Sequence, residues 1–396
     1  MSRRKEDISR REAELNQAEL SEGPDSTKLI PLLRGLAEAY LHWGNFAGAE
    51  RSYRRVLELS IREHGPESLE VANSFNNLAV LFSMQGRYYE ALPLYEKSLD
   101  LNQRLAGGEP EVQAKLLSNI GTVYKILGRN DQAESAMCRA LEMLQDTIGP
   151  DHPAMAKILV NLAGLYLDLN RLPQAEDYCQ RALDIARGAY GEEHPKVALC
   201  YNNLAEIRRM QGRYDQAEEL YIRAIDLKEK LQGGAHPEMS LYLNNLGDLY
   251  RSRQKYVEAE NAYRRALEVE ESQGHRESPS LGSTYMNLGR LASIQGFHER
   301  SEAYFLRSIA IFERTLGPDH PDTAEPLSLL AEMYQSLGRY GEAEALGLRV
   351  LAVWRKALGP QHRRLRDLLQ TLSKVCFAQN RAAEGEAYLK QALEWR

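Results

Sequence analysis

The sequence repeats one turn motif with a constant period of 42 residues. The first residue of this Gly-Arg-Tyr motif, or of its variants, occurs nine times without an insertion, at Gly44, Gly86, Gly128, Asn170, Gly212, Gln254, Gly296, Gly338 and Asn380. All but Gln254 are Gly or Asn, which readily adopt the left-handed conformation that follows a helix end. Such a period predicts an array of similar structural units instead of one globular core.

A second turn signal recurs with the same period. It places glycine at Gly65, Gly107, Gly149, Gly191, Gly233, Gly317 and Gly359. Proline follows four residues later at Pro153, Pro195, Pro237 and Pro321. Glycine just after one helix and proline near the start of the next is the usual arrangement. Each unit is therefore predicted to contain two helices, one on each side of the Gly-Arg-Tyr turn.

The apolar residues have helical spacing. Val71, Phe75, Leu78 and Phe82 follow each other at steps of four, three and four residues, which places them on one helix face. The second helix of each unit carries a small residue in a fixed position, at Ala49, Ala91, Ala133, Ala175, Ala217, Ala259, Ser301 and Ala343. A small side chain at this position predicts that two helices approach each other closely.

These motifs resemble the tetratricopeptide repeat. The residues that carry the resemblance in two units are Leu78, Ala79, Phe82, Gly86, Tyr88, Ala91, Tyr95 and Ser98, and Leu246, Gly247, Tyr250, Tyr256, Ala259, Tyr263 and Ala266. The 42-residue unit resembles the variety found in kinesin light chains. The resemblance implies an all-α fold, an α-solenoid in which about nine helix-turn-helix repeats form a right-handed superhelix. The first helix of each repeat is expected on the concave side.

The resemblance also implies a domain organisation. A charged N-terminal segment, residues 1–25, precedes an array over residues 26–396. The predicted repeats span residues 26–67, 68–109, 110–151, 152–193, 194–235, 236–277, 278–319, 320–361 and 362–396. Met1, Ile8 and Leu15 are too few apolar positions for the coiled coil of a motor subunit. The N-terminal segment is instead expected to be a frayed helix or a helix that caps the first repeat.

An asparagine recurs nine residues before the turn in six consecutive repeats, at Asn77, Asn119, Asn161, Asn203, Asn245 and Asn287. A core Leu or Ile follows each asparagine directly, so the amide lies beside the core face of the helix. Four residues before this asparagine position stand Asn73, Lys115, Lys157, Leu199, Leu241 and Ser283, and three residues after it Glu206, Asp248 and Arg290 in the later repeats.

Two interpretations of these asparagines remain open. A carboxamide both donates and accepts hydrogen bonds, so a column of asparagines could bind the backbone of an extended peptide. Alternatively, the asparagines stabilise the array through hydrogen bonds between helices. Lys115 and Lys157 resemble the residues with which chaperone-binding tetratricopeptide domains grip a carboxylate, but Leu199 and Leu241 replace the next basic residues. The lysines could equally be solvated surface residues.

We expect a non-enzymatic scaffold that binds an extended peptide segment of a partner protein in the concave groove, with a preference for acidic residues that comes from Lys115 and Lys157. The candidate groove residues are Asn73, Asn77, Lys115, Asn119, Lys157, Asn161, Asn203, Asn245, Asn287 and Arg290. One alternative is a cargo adaptor of the kinesin-light-chain type. Another is an architectural array that self-associates through its convex face or its ends.

Several classes of function are not expected. A net charge of −6 argues against nucleic acid as a partner. No apolar run is long enough for a membrane span, and no secretion signal is apparent, which indicates a cytoplasmic protein. No catalytic motif or cofactor site is found. Histidines recur at His152, His194, His236, His320 and His362, but each lies on a separate predicted loop. They are expected to make hydrogen bonds at helix starts rather than to bind metal.

Overall fold

The structure, a computed structural model, describes residues 2–105, 109–233, 236, 238–272 and 278–393. Gly107 and Pro237 of the second turn signal lie outside the described residues. The described residues form nineteen α-helices, a short 3-10 turn at Thr27–Leu29 and no β-strand. The all-α class predicted from the repeat is therefore confirmed.

Each predicted repeat range contains a first and a second helix. The first helices are α2 (Ile30–His42), α4 (Leu69–Met84), α6 (Pro110–Ile126), α8 (Met155–Asp168), α10 (Pro195–Met210), α12 (Met239–Ser252), α14 (Pro279–Ile294), α16 (Ala324–Ser336) and α18 (Arg363–Ala378). The second helices are α3 (Phe46–His64), α5 (Tyr88–Arg104), α7 (Asn130–Ile148), α9 (Leu172–Tyr190), α11 (Tyr214–Gln232), α13 (Tyr256–Ser272), α15 (His298–Thr315), α17 (Tyr340–Leu358) and α19 (Ala382–Leu393). Helix α1 (Ser2–Glu22) precedes the pairs.

The turn between the two helices has the same geometry in all nine repeats. The turn residues have positive φ angles, from +55° at Asn170 to +78° at Gly296. The next backbone amide donates to the carbonyl five residues earlier, as from Arg87 to Phe82 at 2.8 Å. This pattern pairs carbonyl groups that a helix end otherwise leaves without a partner. The turns predicted from the 42-residue period are confirmed, including the one at Gln254.

Small residues allow the helices of each pair to pack closely. The predicted small positions in the second helices are all 0–1% exposed. Some neighbouring first-helix positions are glycine for the same reason. A Cβ atom added at Gly247 would lie 2.4 Å from the Tyr263 ring, and one at Gly121 would lie 2.6 Å from the Met137 side chain. The close approach predicted from the sequence is therefore confirmed.

The chain divides into two compact units, Met1–Thr147 and Ile148–Arg396. In unit 1, α1 packs against α2. Leu15 is buried, and the Arg11 Nη1 atom donates to the Gly35 carbonyl at 3.3 Å. The Tyr40 hydroxyl also donates to the Glu12 carboxylate. The prediction that the N-terminal segment caps the first repeat is confirmed by these contacts.

In unit 2, the first helices form a closely packed layer. Helices α8, α10, α12, α14 and α16 each contact the next first helix, and the series ends at α18. No successive pair of second helices makes a comparable contact within the part of unit 2 that the structure describes. This difference is expected where first helices line the concave side of a curved stack, because the inner layer is the more crowded one.

No described helix combines the length and apolarity that a bilayer span requires.

Candidate functional site

The recurrent asparagines of unit 1 lie beside the core faces of α4 and α6. Asn77 and Asn119 are half-buried, and each directly precedes a buried core residue. Neither side chain makes a hydrogen bond with another described residue of the chain. Asn73, one turn before Asn77, is exposed. In this unit the structure therefore assigns the two half-buried amides no role in joining neighbouring helices.

In unit 2 the later asparagines join neighbouring first helices. The Asn245 Nδ2 atom of α12 donates to the Asn202 Oδ1 atom of α10 at 2.9 Å. One repeat later, Asn287 Nδ2 of α14 donates to Asn244 Oδ1 of α12 at 3.4 Å. Within α10, the Asn202 Nδ2 atom donates a hydrogen bond to the Asn203 Oδ1 atom at 3.4 Å. These amides form a ladder that connects α10, α12 and α14.

The ladder corrects the expectation that all six asparagines offer free hydrogen-bonding groups. The donors of Asn245 and Asn287 are used between helices, and Asn287 is only 7% exposed. Asn287 is therefore a packing residue and not a ligand contact. Asn161 and Asn203 are half-buried and lie nearer the start of unit 2. The sequence contained a signal for the ladder, namely the Asn-Asn pairs at 202–203 and 244–245. The first asparagine of each pair accepts the hydrogen bond from the next repeat.

The candidate basic residues differ in their surroundings. Lys115 on α6 and Lys157 on α8 are exposed, and neither forms an ion pair with a described residue. Arg290 on α14 lies 3.7 Å from the Glu325 carboxylate of α16, so its charge is already partly balanced within the chain. The lysines are thus the candidate cations that remain available to an acidic partner.

The face opposite the core of each first helix forms a strip that we call the outer strip. It consists of the residues four positions before and three positions after each asparagine position, which lie two helical turns apart on one side. In the middle of unit 2 the strip carries exposed apolar side chains, because Leu199 is 38% exposed and Leu241 48% exposed. Exposed leucines in one register on neighbouring helices are typical of a contact surface.

Polar networks neutralise the acidic residues of this strip in two repeats. The Glu206 carboxylate accepts hydrogen bonds from Arg209 Nε at 2.9 Å and from the Tyr221 hydroxyl at 2.7 Å. Burial raises the pKa of Glu206, but the hydrogen bonds and the charge of Arg209 outweigh it and hold the pKa below its usual range. Asp248 likewise accepts from Arg251 at 2.9 Å. Sequence reasoning missed these networks, although the acidic-x-x-Arg spacing recurs after 42 residues.

The arginine of the Gly-Arg-Tyr motif joins successive repeats. The Arg87 guanidinium stacks over the Phe82 ring with its central carbon 3.9 Å from the ring centroid. It also lies 2.7 Å from the Glu50 carboxylate of the preceding repeat. Arg339 in unit 2 repeats both contacts, with a tyrosine ring and with Glu302. This arginine is therefore occupied by packing and does not form part of a ligand site.

The five histidines in one register make the same contact. Each accepts a backbone hydrogen bond through Nδ1 from the residue two positions later, as His194 does from Lys196 at 3.2 Å. This confirms the predicted role at helix starts. Within the described ranges, no three His, Cys, Asp or Glu side chains are grouped so that they could hold a metal ion.

Several solved structures are similar to this chain. BtubC (BKLC) from P. vanneervenii is 27% identical with a TM-score of 0.48, covering 58% of this chain and 92% of its own. A Podosopora anserina putative kinesin light chain is 22% identical with a TM-score of 0.41, covering 52% and 97%. A Rap protein complexed with Competence and Sporulation Factor is 15% identical with a TM-score of 0.52, covering 89% and 98%. The Rap protein shares the fold alone.

No curated protein sequence is significantly similar to this chain. The family model of the tetratricopeptide repeat, in contrast, matches residues 28–104, 111–177, 154–230, 201–272, 280–352 and 326–395. These segments include nearly all of the helix pairs described above, together with their turns and small packing residues. The chain therefore belongs to the tetratricopeptide-repeat family.

Proposed function

We propose that this chain is a non-enzymatic scaffold that binds an extended peptide segment of a partner protein along its first helices. The family and the repeat architecture indicate protein–protein interaction. The observation that carries the peptide proposal is the outer strip of unit 2. There Lys157, Leu199 and Leu241 are exposed on first helices that contact one another in succession. These side chains do not pack the core, and together they form a continuous surface.

The chemistry of the strip suits an extended chain. Leucine side chains can cover apolar residues of a peptide, and each fully buried one contributes about 1.5–3 kcal/mol. Asn203 lies beside the strip, and its Nδ2 group can donate a hydrogen bond to a peptide backbone, at about 0.5–1.5 kcal/mol. Lys157 favours an acidic residue in the partner, and Lys115 does so in unit 1.

Two further points are compatible with the proposal. The Rap structure shows that this fold accommodates a bound factor, although the choice of a peptide here rests on the residues of this chain.

All four cysteines are free thiols, and three of them are buried. Free thiols suit a reducing compartment, so the proposal places the protein in the cytoplasm.

A selection from random peptides tests the proposal without knowledge of the partner. The purified protein is used to select from a displayed library of random 16-residue peptides, and enriched peptides are measured by fluorescence polarisation. One variant, which we call the groove variant, changes two residues of the outer strip, Lys157→Glu and Leu241→Ser. The matched control carries the same two changes at exposed sites on second helices, Lys390→Glu and Leu306→Ser.

The groove variant is expected to bind the selected peptides about 5- to 70-fold more weakly. Leu241 is 48% exposed, so a peptide can bury about half of this side chain, which contributes about 0.7–1.5 kcal/mol, and the lost charge contact of Lys157 adds about 0.2–1 kcal/mol. The control variant should bind like the original protein. Circular dichroism checks that both variants keep their helical content. Failure to enrich any peptide, or equal affinity of both variants, refutes a peptide site on the first helices.

The architectural alternative has one observation in its favour. Val257 and Phe297, both close to turns between helices, are 71% and 53% exposed. Apolar residues this exposed can drive assembly of copies of the chain. Light scattering coupled to size exclusion tests this alternative, because a Val257→Ser and Phe297→Ser variant should lower the mass of any oligomer. A monomer with or without these changes rules the alternative out.

A further inference from the structure

The outer strip of unit 2 changes chemical character from one repeat to the next. Over its first five first helices it is formed by Lys157 and Gly164, Leu199 and Glu206, Leu241 and Asp248, Ser283 and Arg290, and Glu325 and Glu332. Because these helices contact one another in sequence, the order of the residues along the chain is also their order in space. The chemistry of the strip therefore differs between its two directions, so a bound peptide of suitable sequence has one preferred orientation.

The middle of the strip is apolar and carries little net charge. Leu199 and Leu241 are exposed on neighbouring helices. The two acidic residues beside them are compensated, since Arg209 contacts Glu206 and Arg251 contacts Asp248. A charged ligand residue would lose hydration here and gain no partner. An apolar ligand residue is favoured at both leucines.

The first and the fifth of these helices carry opposite charges that form no ion pair with a described residue. At the start, Lys157 is exposed and forms no ion pair within the described chain. At the far end, Arg290 already lies near Glu325, whereas Glu332 is exposed and forms no ion pair with a described residue.

The surroundings of Glu332 do not compensate its charge. Neighbouring side chains limit its contact with water and raise its pKa, and the Asp367 carboxylate raises it further. Arg290 and Lys374 act in the opposite direction but are outweighed. A cation supplied by a ligand would improve the environment of this carboxylate.

We propose that the peptide bound by unit 2 carries an acidic residue at Lys157, two apolar residues at Leu199 and Leu241, and a basic residue at Glu332. This inference rests on the proposed function and specifies the ligand class. Packed helices are about 10 Å apart and an extended chain advances about 3.3 Å per residue, so each repeat spans about three peptide residues. The acidic residue then stands at position 1, the apolar ones at about 4 and 7, and the basic one at about 13.

Four fluorescein-labelled synthetic peptides of 13 residues test this order. Two carry the proposed pattern, written in the two possible chain directions, with serine and alanine at the other positions. Two controls exchange only the acidic and the basic residue. The spacing of the apolar residues is asymmetric, so the exchanged peptides cannot regain the proposed order by reversing direction. A peptide selected from the random library serves as the positive control.

One peptide with the proposed pattern is expected to bind about fivefold more tightly than either exchanged peptide, since the exchange removes two favourable charge contacts and places like charges together at both positions. The protein variant with Lys157→Glu and Glu332→Lys should reverse this preference. A variant with Leu199→Ser and Leu241→Ser should weaken both kinds of peptide equally.

The possible failures are distinguishable. If the library peptide binds but the exchange of charges has no effect on either protein, the proposed order is wrong and the peptide site stands. If neither the library peptide nor any synthetic peptide binds, the proposed function fails and the order fails with it.

Discussion

Asn245→Ala separates a structural role of the recurrent asparagines from a role in binding. The substitution removes the Nδ2 donor that lies 2.9 Å from the Asn202 Oδ1 atom on the neighbouring first helix. Asn202 is 4% exposed, so water cannot easily replace the lost donor. An unsatisfied buried acceptor costs about 1–3 kcal/mol. The higher helix propensity of alanine offsets up to about 0.7 kcal/mol of this loss in stability. The net loss of stability is therefore expected to be about 0.3–2.3 kcal/mol.

Asn261→Ala is the matched control for this experiment. Asn261 lies within α13 of the same unit, is exposed and makes no side-chain hydrogen bond with another described residue. The same change of residue type there should stabilise the helix by up to about 0.7 kcal/mol. Because the propensity terms are similar, the difference between the two variants isolates the amide contact at about 1–3 kcal/mol.

Native-state hydrogen exchange is the appropriate measurement, because a repeat array can unfold in parts. In the Asn245→Ala variant, amides of α10 and α12 should exchange about 5- to 150-fold faster than in the control. The effect should be confined to the helices that the ladder joins and should leave unit 1 unchanged. Equal exchange rates in the two variants would show that the ladder does not stabilise the array.

Three other predictions follow from the structure. His194→Ala removes the acceptor at the start of α10 and should cost about 1 kcal/mol, whereas His194→Asn should restore most of it; thermal unfolding of both variants measures the difference. Glu206→Gln should destabilise unit 2 at neutral pH, as judged by urea unfolding at several pH values. A carboxyl whose pKa is lowered by folding stabilises the fold above its unfolded pKa, so the deficit should shrink as the pH falls through the folded pKa, and a deficit that persists in acid would contradict the argument. Cys138 is the one half-buried thiol among four, and burial raises its pKa. The raised pKa leaves less reactive thiolate, so Cys138 should react more slowly than a fully exposed thiol. Because the other three thiols are buried, a thiol reagent should still modify Cys138 first, and Cys138→Ser should abolish this first phase.

The local structure was predictable because it depends on residues that are close in the sequence. A positive φ angle at the turn needs a residue that tolerates it, and the nine turn residues reveal their positions by their spacing alone. Helix faces follow from apolar residues at steps of three and four. The histidines were interpreted correctly for the same reason, since each bonds a backbone amide only two residues away.

The binding surface was only partly predictable. The sequence placed Asn245 and Asn287 beside the core face but could not show that a partner amide one repeat earlier accepts their hydrogen bonds. That contact joins residues 43 positions apart, and it depends on how closely two helices pack. The sequence placed Leu199 and Leu241 in the register of the candidate groove lysines, but only the structure shows how far each side chain is exposed.

The sequence by itself determined the repeat, its two helices and its turns, since the backbone conformation there is fixed by neighbouring residue types. Only the tertiary structure decided which polar side chains are already occupied by other helices. It thereby left Lys157 and Glu332, on either side of the apolar middle of the outer strip, without an ion pair among the described residues. The physical reason is that the free energy of a side chain on a stacked helix depends on the helix packed beside it, and the stacking brings together residues that are distant in the chain.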